Sequence, residues 1–448
     1  MYNNTARKNK INNNKTRKIK AISGKIISKK DGWINAEIRG SPFERGYAHG
    51  SLFYKELKLL KKLLPFIVKT EIERNFNEYI TKSNQLIKPQ LIKKFPEFYD
   101  EMRGIVSGSK SKGVNVSLDF IIAWNAYVSL DSYFNDGNCS EKCSAFIATG
   151  SATEKGDIIV THNTHFDLMS ARLFNINLYV IPDTGHTFVM QTAPGLIYSA
   201  TDWFISDNGI VGMETTISKI NYKPQFGAPI FCRIRQVMQY ANSLDECVNS
   251  LLEDNAGDYA SGWMFGDTRT GEIMLIELGL KKYDIQRTKN GVFFGINSPM
   301  NKELRESETD SKDFYDITTP IGNRRKRINF LLHKKYYGKI NISNAKKILS
   351  DHYDYNLGYE KMSRKCICKH SEIDPTGDVP FKLSGAYDGK VVNSSMIDSL
   401  SFLARYGSSC GKRNFSKEKY LREHPEKEKY REFIEDLPVY PWSFIKNE

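Results

Sequence analysis

The chain is expected to fold as a layered α+β domain, with sheets held between helical layers. Three observations predict this. The first third carries apolar residues at helical spacing. From Cys143 the pattern switches to period-two alternation broken by Gly and Asn turns. Helical and strand patterns then alternate toward the C-terminus. With 448 residues, 40% of them hydrophobic and 12% aromatic, there is enough apolar surface for a substantial core.

Taken in order, residues 1–30 read as a basic low-complexity tail. Trp33–Ile38 alternates as a short strand. Ser41-Pro42-Phe43-Glu44 is a capping box with Pro at the first helical position, and it opens a helix bearing Leu52, Leu57, Leu60 and Leu64 on one face. Gly46 and Gly50 lie inside that helix. Each costs about 1 kcal/mol relative to Ala, which points to close packing against another segment; His49 between them reads as a buried structural histidine. Further helices are expected near Pro89–Lys112 and over Ser117–Ser132.

Strands are expected from Cys143 and at Ile158–Val160, Asn175–Ile181, Thr187–Gln191, Trp203–Ser206 and Ile210–Thr216. Two helices follow, near Arg233–Ala241 and Asp245–Leu252, and then strands at Trp263–Gly266, Ile273–Glu277 and Val292–Asn297. Asn301–Asp316 reads as a charged surface loop. Helices follow from Asn323, over Ser343–His352, and near Lys417–Glu435. The domain organisation expected is the tail 1–30, a mainly helical segment 31–142, and a segment 143–448 that packs with it as one domain.

The formal net charge of +13 favours contact with an anionic substrate or membrane surface, but charge sets solubility and attraction rather than chemistry. No zinc-finger, helix-turn-helix or aromatic RNA-binding pattern accompanies it, so nucleic acid is not expected as a partner. Seven scattered cysteines argue against a disulfide framework. No stretch reaches the roughly 18 apolar residues of a membrane span, and the first thirty residues lack an apolar signal core, so a cytoplasmic setting is expected. No dinucleotide or phosphate-loop fingerprint is present, and no cofactor is expected. Cys366-Ile367-Cys368-Lys369-His370 offers three metal ligands without a clear fourth, so no metal site is expected either.

The candidate site is the junction where the polar run Asn135–Lys142 meets Cys143. Cys143 opens an apolar strand that would fix its thiol, whereas Cys139 lies in a Gly/Asn/Asp-rich loop. A free thiol ionises near a pKa of about 8.5. Cleavage of the Lys142–Cys143 bond would place an α-amino group, with a pKa of about 8, beside the sulfur as its base. Taken alone, Cys143 is more often a structural cysteine. His162, Asn163 and His165 lie on the next strand, where alternation puts His162 and Thr164 on one face and Asn163 and His165 on the other, so only one pair can reach the sulfur. Asn297 could present its amide to a developing oxyanion. Arg324 and Arg325 could present a guanidinium to the site.

The run Cys143-Ser144-Ala145-Phe146 leading to His162-Asn163-Thr164 resembles the phospholipase B-like proteins and the autoproteolytic acyltransferase/hydrolases related to isopenicillin N acyltransferase. The resemblance continues, in order, through Asp202-Trp203, Glu214-Thr215-Thr216, Arg233-Ile234-Arg235, Tyr259-Ala260, Asn297-Ser298-Pro299, Asn323-Arg324-Arg325 and His352-Tyr353-Asp354. It implies a four-layer αββα N-terminal-nucleophile hydrolase with two stacked, mainly antiparallel sheets, made as a precursor and cut before Cys143. By the same resemblance Cys143 is the nucleophile, and His162 stands near the thiol where more distant relatives have a carboxylate. Asn297 is the oxyanion donor, and Arg324 is the site arginine, ahead of Arg325. His165, Asn163, Trp203, Glu214 and Thr215 are the expected substrate contacts. His165 departs from the family pattern, which has Trp there. The family is usually secreted or lysosomal, which this N-terminus does not match.

The activity implied is hydrolysis or transfer of an acyl group from an amide or ester, through an acyl-enzyme on Cys143. The partner is then a small acyl compound, lipids included. Two rivals stand beside this: a lipid-binding protein of the same fold without turnover, and a binder of nucleic acid or anionic surfaces through the tail.

Overall fold

The computed structural model describes residues 22–135, 143–374 and 383–447. The chain begins with a hairpin of β1 (Gly24–Lys30) and β2 (Trp33–Gly40). Seven helices follow: α1 (Pro42–Leu52), α2 (Tyr54–Thr70), α3 (Phe76–Leu86), α4 (Lys88–Lys94), α5 (Pro96–Ser111), α6 (Leu118–Asn125) and α7 (Tyr127–Phe134). Next come β3 (Cys143–Gly150), β4 (Gly156–Asp167), β5 (Ile176–Pro182), β6 (Phe188–Thr192), β7 (Trp203–Ser206) and β8 (Ile210–Thr216). Helices α8 (Ile230–Tyr240) and α9 (Leu244–Leu252) lead to β9 (Ser261–Asp267), β10 (Glu272–Leu278), β11 (Tyr283–Thr288) and β12 (Gly291–Gly295). Helices α10 (Lys302–Glu308), α11 (Pro320–Phe330) and α12 (Ile342–Leu349) precede a ribbon of β13 (Tyr353–Asp354) and β14 (Tyr359–Glu360). The chain closes with β15 (Ser384–Asn393), α13 (Ser394–Asp398), β16 (Phe402–Tyr406), α14 (Lys417–Glu423) and β17 (Ser443–Ile445).

Among the described residues the strands form two main sheets. One has nine strands in the order β1-β2-β5-β6-β7-β8-β9-β10-β11, and the other six in the order β12-β3-β4-β15-β16-β17. Every neighbouring pair is antiparallel except β2 with β5. The sheets pack face to face where β3 meets β8, β9 and β10. Helices α1, α8 and α9 lie on the first sheet and α12 and α13 on the second, so the expected α+β layering is observed.

The capping box at Ser41 and Glu44 is formed as expected. The helix it starts is shorter than its apolar stripe suggests: the chain leaves the helical path at Phe53, buried against the His49 ring, and α2 begins afresh. The two glycines sit where α1 crosses α5. A Cβ on Gly46 would lie 2.0 Å from the Glu101 carbonyl oxygen and one on Gly50 2.1 Å from that of Ile105, while Gly104 and Gly108 make the reciprocal approach. His49 is buried and its Nε2 accepts from the Gly195 N–H at 2.8 Å.

Three expectations need correction. Gly24–Lys30, expected as part of the basic tail 1–30, is an edge strand whose lysines mask its alternation; residues 1–21 lie outside the described residues. The surface loop Asn301–Asp316 contains α10, capped by the Asn301 side chain accepting from Leu304 N–H. The basic C-terminal helix stops at Glu423, because Pro425 turns the chain into a 3-10 segment. Strands β11, β13, β14, β15, β16 and β17 lie outside the stretches expected as strands.

Candidate active site

Cys143 is the first residue of β3 and lies opposite Thr164 of β4. The ladder with β12 ends at the pair Gly295–Ala145, so on that side the backbone of Cys143 has no strand partner. Side chains take over. The Cys143 N–H donates to Asn297 Oδ1 at 3.3 Å, and its carbonyl accepts from Arg324 Nη1 at 2.7 Å. The same Nη1 reaches Ser144 Oγ at 3.1 Å, and Arg324 Nη2 donates to Asn297 Oδ1 at 3.1 Å. Arg324 sits in the first turns of α11, whose N-cap Thr319 accepts from Gly322 N–H.

Asn297 stands two residues beyond β12 with φ +71°, a left-handed conformation that Asn tolerates better than most residues. Its Nδ2 donates to the Thr216 carbonyl at 2.9 Å, and its own carbonyl accepts from the Ser218 N–H and Oγ. Arg324 can only donate and a backbone carbonyl can only accept, so the orientation of the Asn297 amide is determined. In this arrangement the amide binds the Cys143 nitrogen through its oxygen, a different task from the oxyanion donation expected of it.

Cys143 lines a mostly apolar pocket together with Trp124, Tyr127, Phe174, Leu196, Tyr198, His165, Asp202 and Tyr259. Burial drives the thiol pKa well up, and the carboxylates of Asp202 and Glu214 add to this. The His165 backbone N–H and the Lys390 ammonium pull the other way. The thiol is therefore protonated at rest and needs a base beside it. Glu214 accepts from the Tyr259 hydroxyl at 3.3 Å, and that hydroxyl also meets Thr216 Oγ1.

His162 is buried between the sheets. Its Nε2 faces the Glu214 carbonyl at 2.9 Å, so that nitrogen carries the proton, and Nδ1 faces Thr164 Oγ1 at 3.4 Å. Burial first, and then Lys390, hold its pKa well below the usual value, so the ring is neutral. The His165 backbone N–H faces the thiol, while its ring is buried on the opposite face of β4, in the field of Lys369, Arg324 and His370, and neither ring nitrogen has a hydrogen-bond partner among the described residues. Asn163 points to the same face of β4 as His165, away from His162 and Thr164. Its Nδ2 donates to the Leu349 and Ile367 carbonyls and its Oδ1 accepts from Ser409 Oγ, so its amide is engaged away from the pocket.

Trp203 is packed between the sheets against Phe402. Thr215 lies against Gly295, where a Cβ would come within 2.2 Å of its Oγ1. The structure thus brings Cys143, Asn297 and Arg324 into direct contact, borders the pocket with the His165 backbone rather than its ring, and sets Trp203, Thr215 and Asn163 in packing or framework positions. Arg325 turns toward Phe314, donating to its carbonyl at 2.6 Å, and stays outside this set. Lys142 lies outside the described residues.

Sequence reasoning missed Lys390. It lies on β15 across from His162, fully buried, with Nζ 3.0 Å from Asp388 Oδ1 and 2.9 Å from Thr164 Oγ1, and also donating to Gln191 Oε1. Burial lowers its pKa while Asp388 opposes that shift. The stretch Ser384–Asn393 is buried on both faces, so it lacks the alternation that would have marked it as a strand. Asp202 and Tyr259 were inside recognisable stretches, yet nothing local marked them as pocket residues. The structure also overturns the premise that no fourth metal ligand exists: His352 and Cys410 join Cys368 and His370, while Cys366 points elsewhere.

No family model matches the chain. Its sequence is 26% identical over 261 residues to an uncharacterized protein of Archaeoglobus fulgidus, covering 52% of this chain and 41% of that protein. It is 25% identical over 227 residues to a phospholipase B of Crotalus adamanteus, covering 45% of this chain and 40% of the snake protein. The matched region is less than half the length of either relative. No helix among the described residues is long and apolar enough to cross a membrane.

Proposed function

We propose that this chain is an acyl hydrolase of the N-terminal-nucleophile type, in which cleavage of the Lys142–Cys143 bond makes Cys143 the first residue of the segment 143–448. One observation carries the reading: both backbone polar atoms of Cys143 are held by side chains, the nitrogen by Asn297 and the carbonyl oxygen by Arg324. Once freed as an amine, that nitrogen would stay anchored beside its own sulfur. An amine with a pKa of about 8 is then the base that the buried, protonated thiol lacks.

The chemistry follows from that pairing. The amine takes the thiol proton, and the sulfur attacks the acyl carbonyl. As the tetrahedral intermediate collapses, the ammonium returns the proton to the departing alcohol or amine. A water then attacks the thioester, its proton taken by the same amine, and the carboxylic acid leaves as the thiol is restored. The apolar walls formed by Trp124, Tyr127, Phe174 and Leu196 suit an acyl chain. Similarity to a phospholipase B favours a lipid ester over an N-acyl amide.

The test compares wild type with Cys143→Ala on phosphatidylcholine vesicles and on an N-acyl amide of matched chain length, with released fatty acid measured by mass spectrometry. Release from either substrate by wild type alone supports the reading. No release from both, or equal release by Cys143→Ala, contradicts it.

A further inference from the structure

His352, Cys368, His370 and Cys410 converge on the outer side of the second sheet. His352 stands just before β13, Cys368 and His370 lie in the segment after β14, and Cys410 follows β16. One ligand atom from each falls within 4.8 Å of all the others. A tetrahedral zinc ion with bonds of about 2.0 Å to nitrogen and 2.3 Å to sulfur sets nitrogens about 3.3 Å apart and nitrogen from sulfur about 3.5 Å. His352 Nε2 and His370 Nε2 are 3.2 Å apart, and Cys410 Sγ is 3.6 Å from His370 Nε2.

The surroundings match as well. The other nitrogen of His370, Nδ1, faces Glu372 Oε1 at 2.9 Å, which fixes the proton on Nδ1 and leaves Nε2 as a lone-pair donor. The Lys412 backbone N–H points at Cys410 Sγ at 3.4 Å, as a thiolate ligand would require. His352, Cys368 and His370 are buried, and Cys410 is partly exposed, which gives an ion a way in. Cys366, two residues from Cys368, instead donates to the Ser363 carbonyl at 3.1 Å.

From this geometry we infer that His352, Cys368, His370 and Cys410 form a structural zinc site. Two thiolates and two imidazoles in a tetrahedron suit zinc, and four protein ligands leave no open position for catalysis. The ion would join three segments far apart in sequence. Each of them also meets Asn163 close to a ligand: Leu349 before His352, Ile367 before Cys368, and Ser409 before Cys410. The site therefore braces β4, the strand paired with Cys143, and it stands independently of any activity at that thiol.

The test is metal analysis of the full chain, purified under reducing conditions without tag or chelator. One equivalent of zinc is expected, retained in Cys366→Ser and lost in Cys368→Ser and in Cys410→Ser. Because the two serine variants could misfold, cobalt is also exchanged into wild type, where strong visible bands and a near-ultraviolet sulfur-to-cobalt band are expected. Wild type that holds no zinc, even after reduction and dialysis against zinc, overturns the inference. So does zinc retained in the Cys368→Ser/Cys410→Ser double variant, or a weak octahedral cobalt spectrum. A metal-free chain lighter by two hydrogens, with Cys368 linked to Cys410, overturns it too.

Discussion

The nitrogen of Cys143 lies 3.3 Å from Asn297 Oδ1, and that one oxygen also accepts from Arg324 at 3.1 Å. A single amide thus ties the start of β3 to α11 and, through its nitrogen, to the last residue of β8. Loss of that tie frees the Cys143 nitrogen to move. Asn297→Ala is expected to slow turnover by about 10²-fold, the size of effect that follows from a misplaced reacting group. Steady-state kinetics on the substrate found for wild type would check this, and an unchanged kcat would remove Asn297 from the account.

Lys390 and Asp388 form an ion pair that is wholly buried between the sheets. Removing only the lysine leaves a buried carboxylate without its cation, which costs roughly 3–5 kcal/mol. Lys390→Met should lose about that much in urea unfolding, and Lys390→Met/Asp388→Asn should recover part of it. A single variant as stable as wild type would contradict this.

At the crossing of α1 and α5 the backbones approach closely enough that a methyl on Gly46 would sit 2.0 Å from the Glu101 carbonyl oxygen. A backbone atom cannot rotate away. Gly46→Ala should therefore destabilise by at least about 1–3 kcal/mol despite the better helix propensity of Ala. A stabilised variant would show that the helices can separate at little cost.

His49 is buried with its pKa lowered to about 4 from the usual 6.5, chiefly by burial, with Glu101 opposing and Arg235 adding to the shift. The unfolded chain binds the proton more readily than the folded one. The stability from neutral His49 is thus complete above pH 6.5 and is lost as pH falls toward 4. The loss is on the order of 3 kcal/mol. His49→Gln keeps an acceptor for Gly195 and cannot charge, so its stability should fall less than that of wild type between pH 7 and 4. Parallel urea midpoints for the two proteins would contradict this.

Much of this architecture was legible in the sequence because its signals are local. The capping box at Ser41 and the alternation at Trp203–Ser206 and Ile210–Thr216 are carried by neighbouring residues, and the glycines of α1 stand out within their own helix although the backbone they admit is that of α5. Cys143, Asn297 and Arg324 were singled out, and they meet in space. What escaped depends on distant partners. Strand β15 is buried on both faces by layers that local pattern cannot reveal, so Lys390 stayed hidden. The task of the Asn297 amide depends on Thr216 and Arg324, far from it in the chain. His352 and Cys410 are separated from Cys368 by stretches with no metal-ligand spacing, and only the folded chain gathers them.

The central claim is that Cys143 becomes an N-terminal nucleophile, and intact-mass measurement of the purified protein tests it most directly. The account predicts two polypeptides for wild type, the second beginning at Cys143, and one uncut polypeptide for Cys143→Ala. A wild-type chain that remains uncut while it hydrolyses an acyl substrate would contradict it.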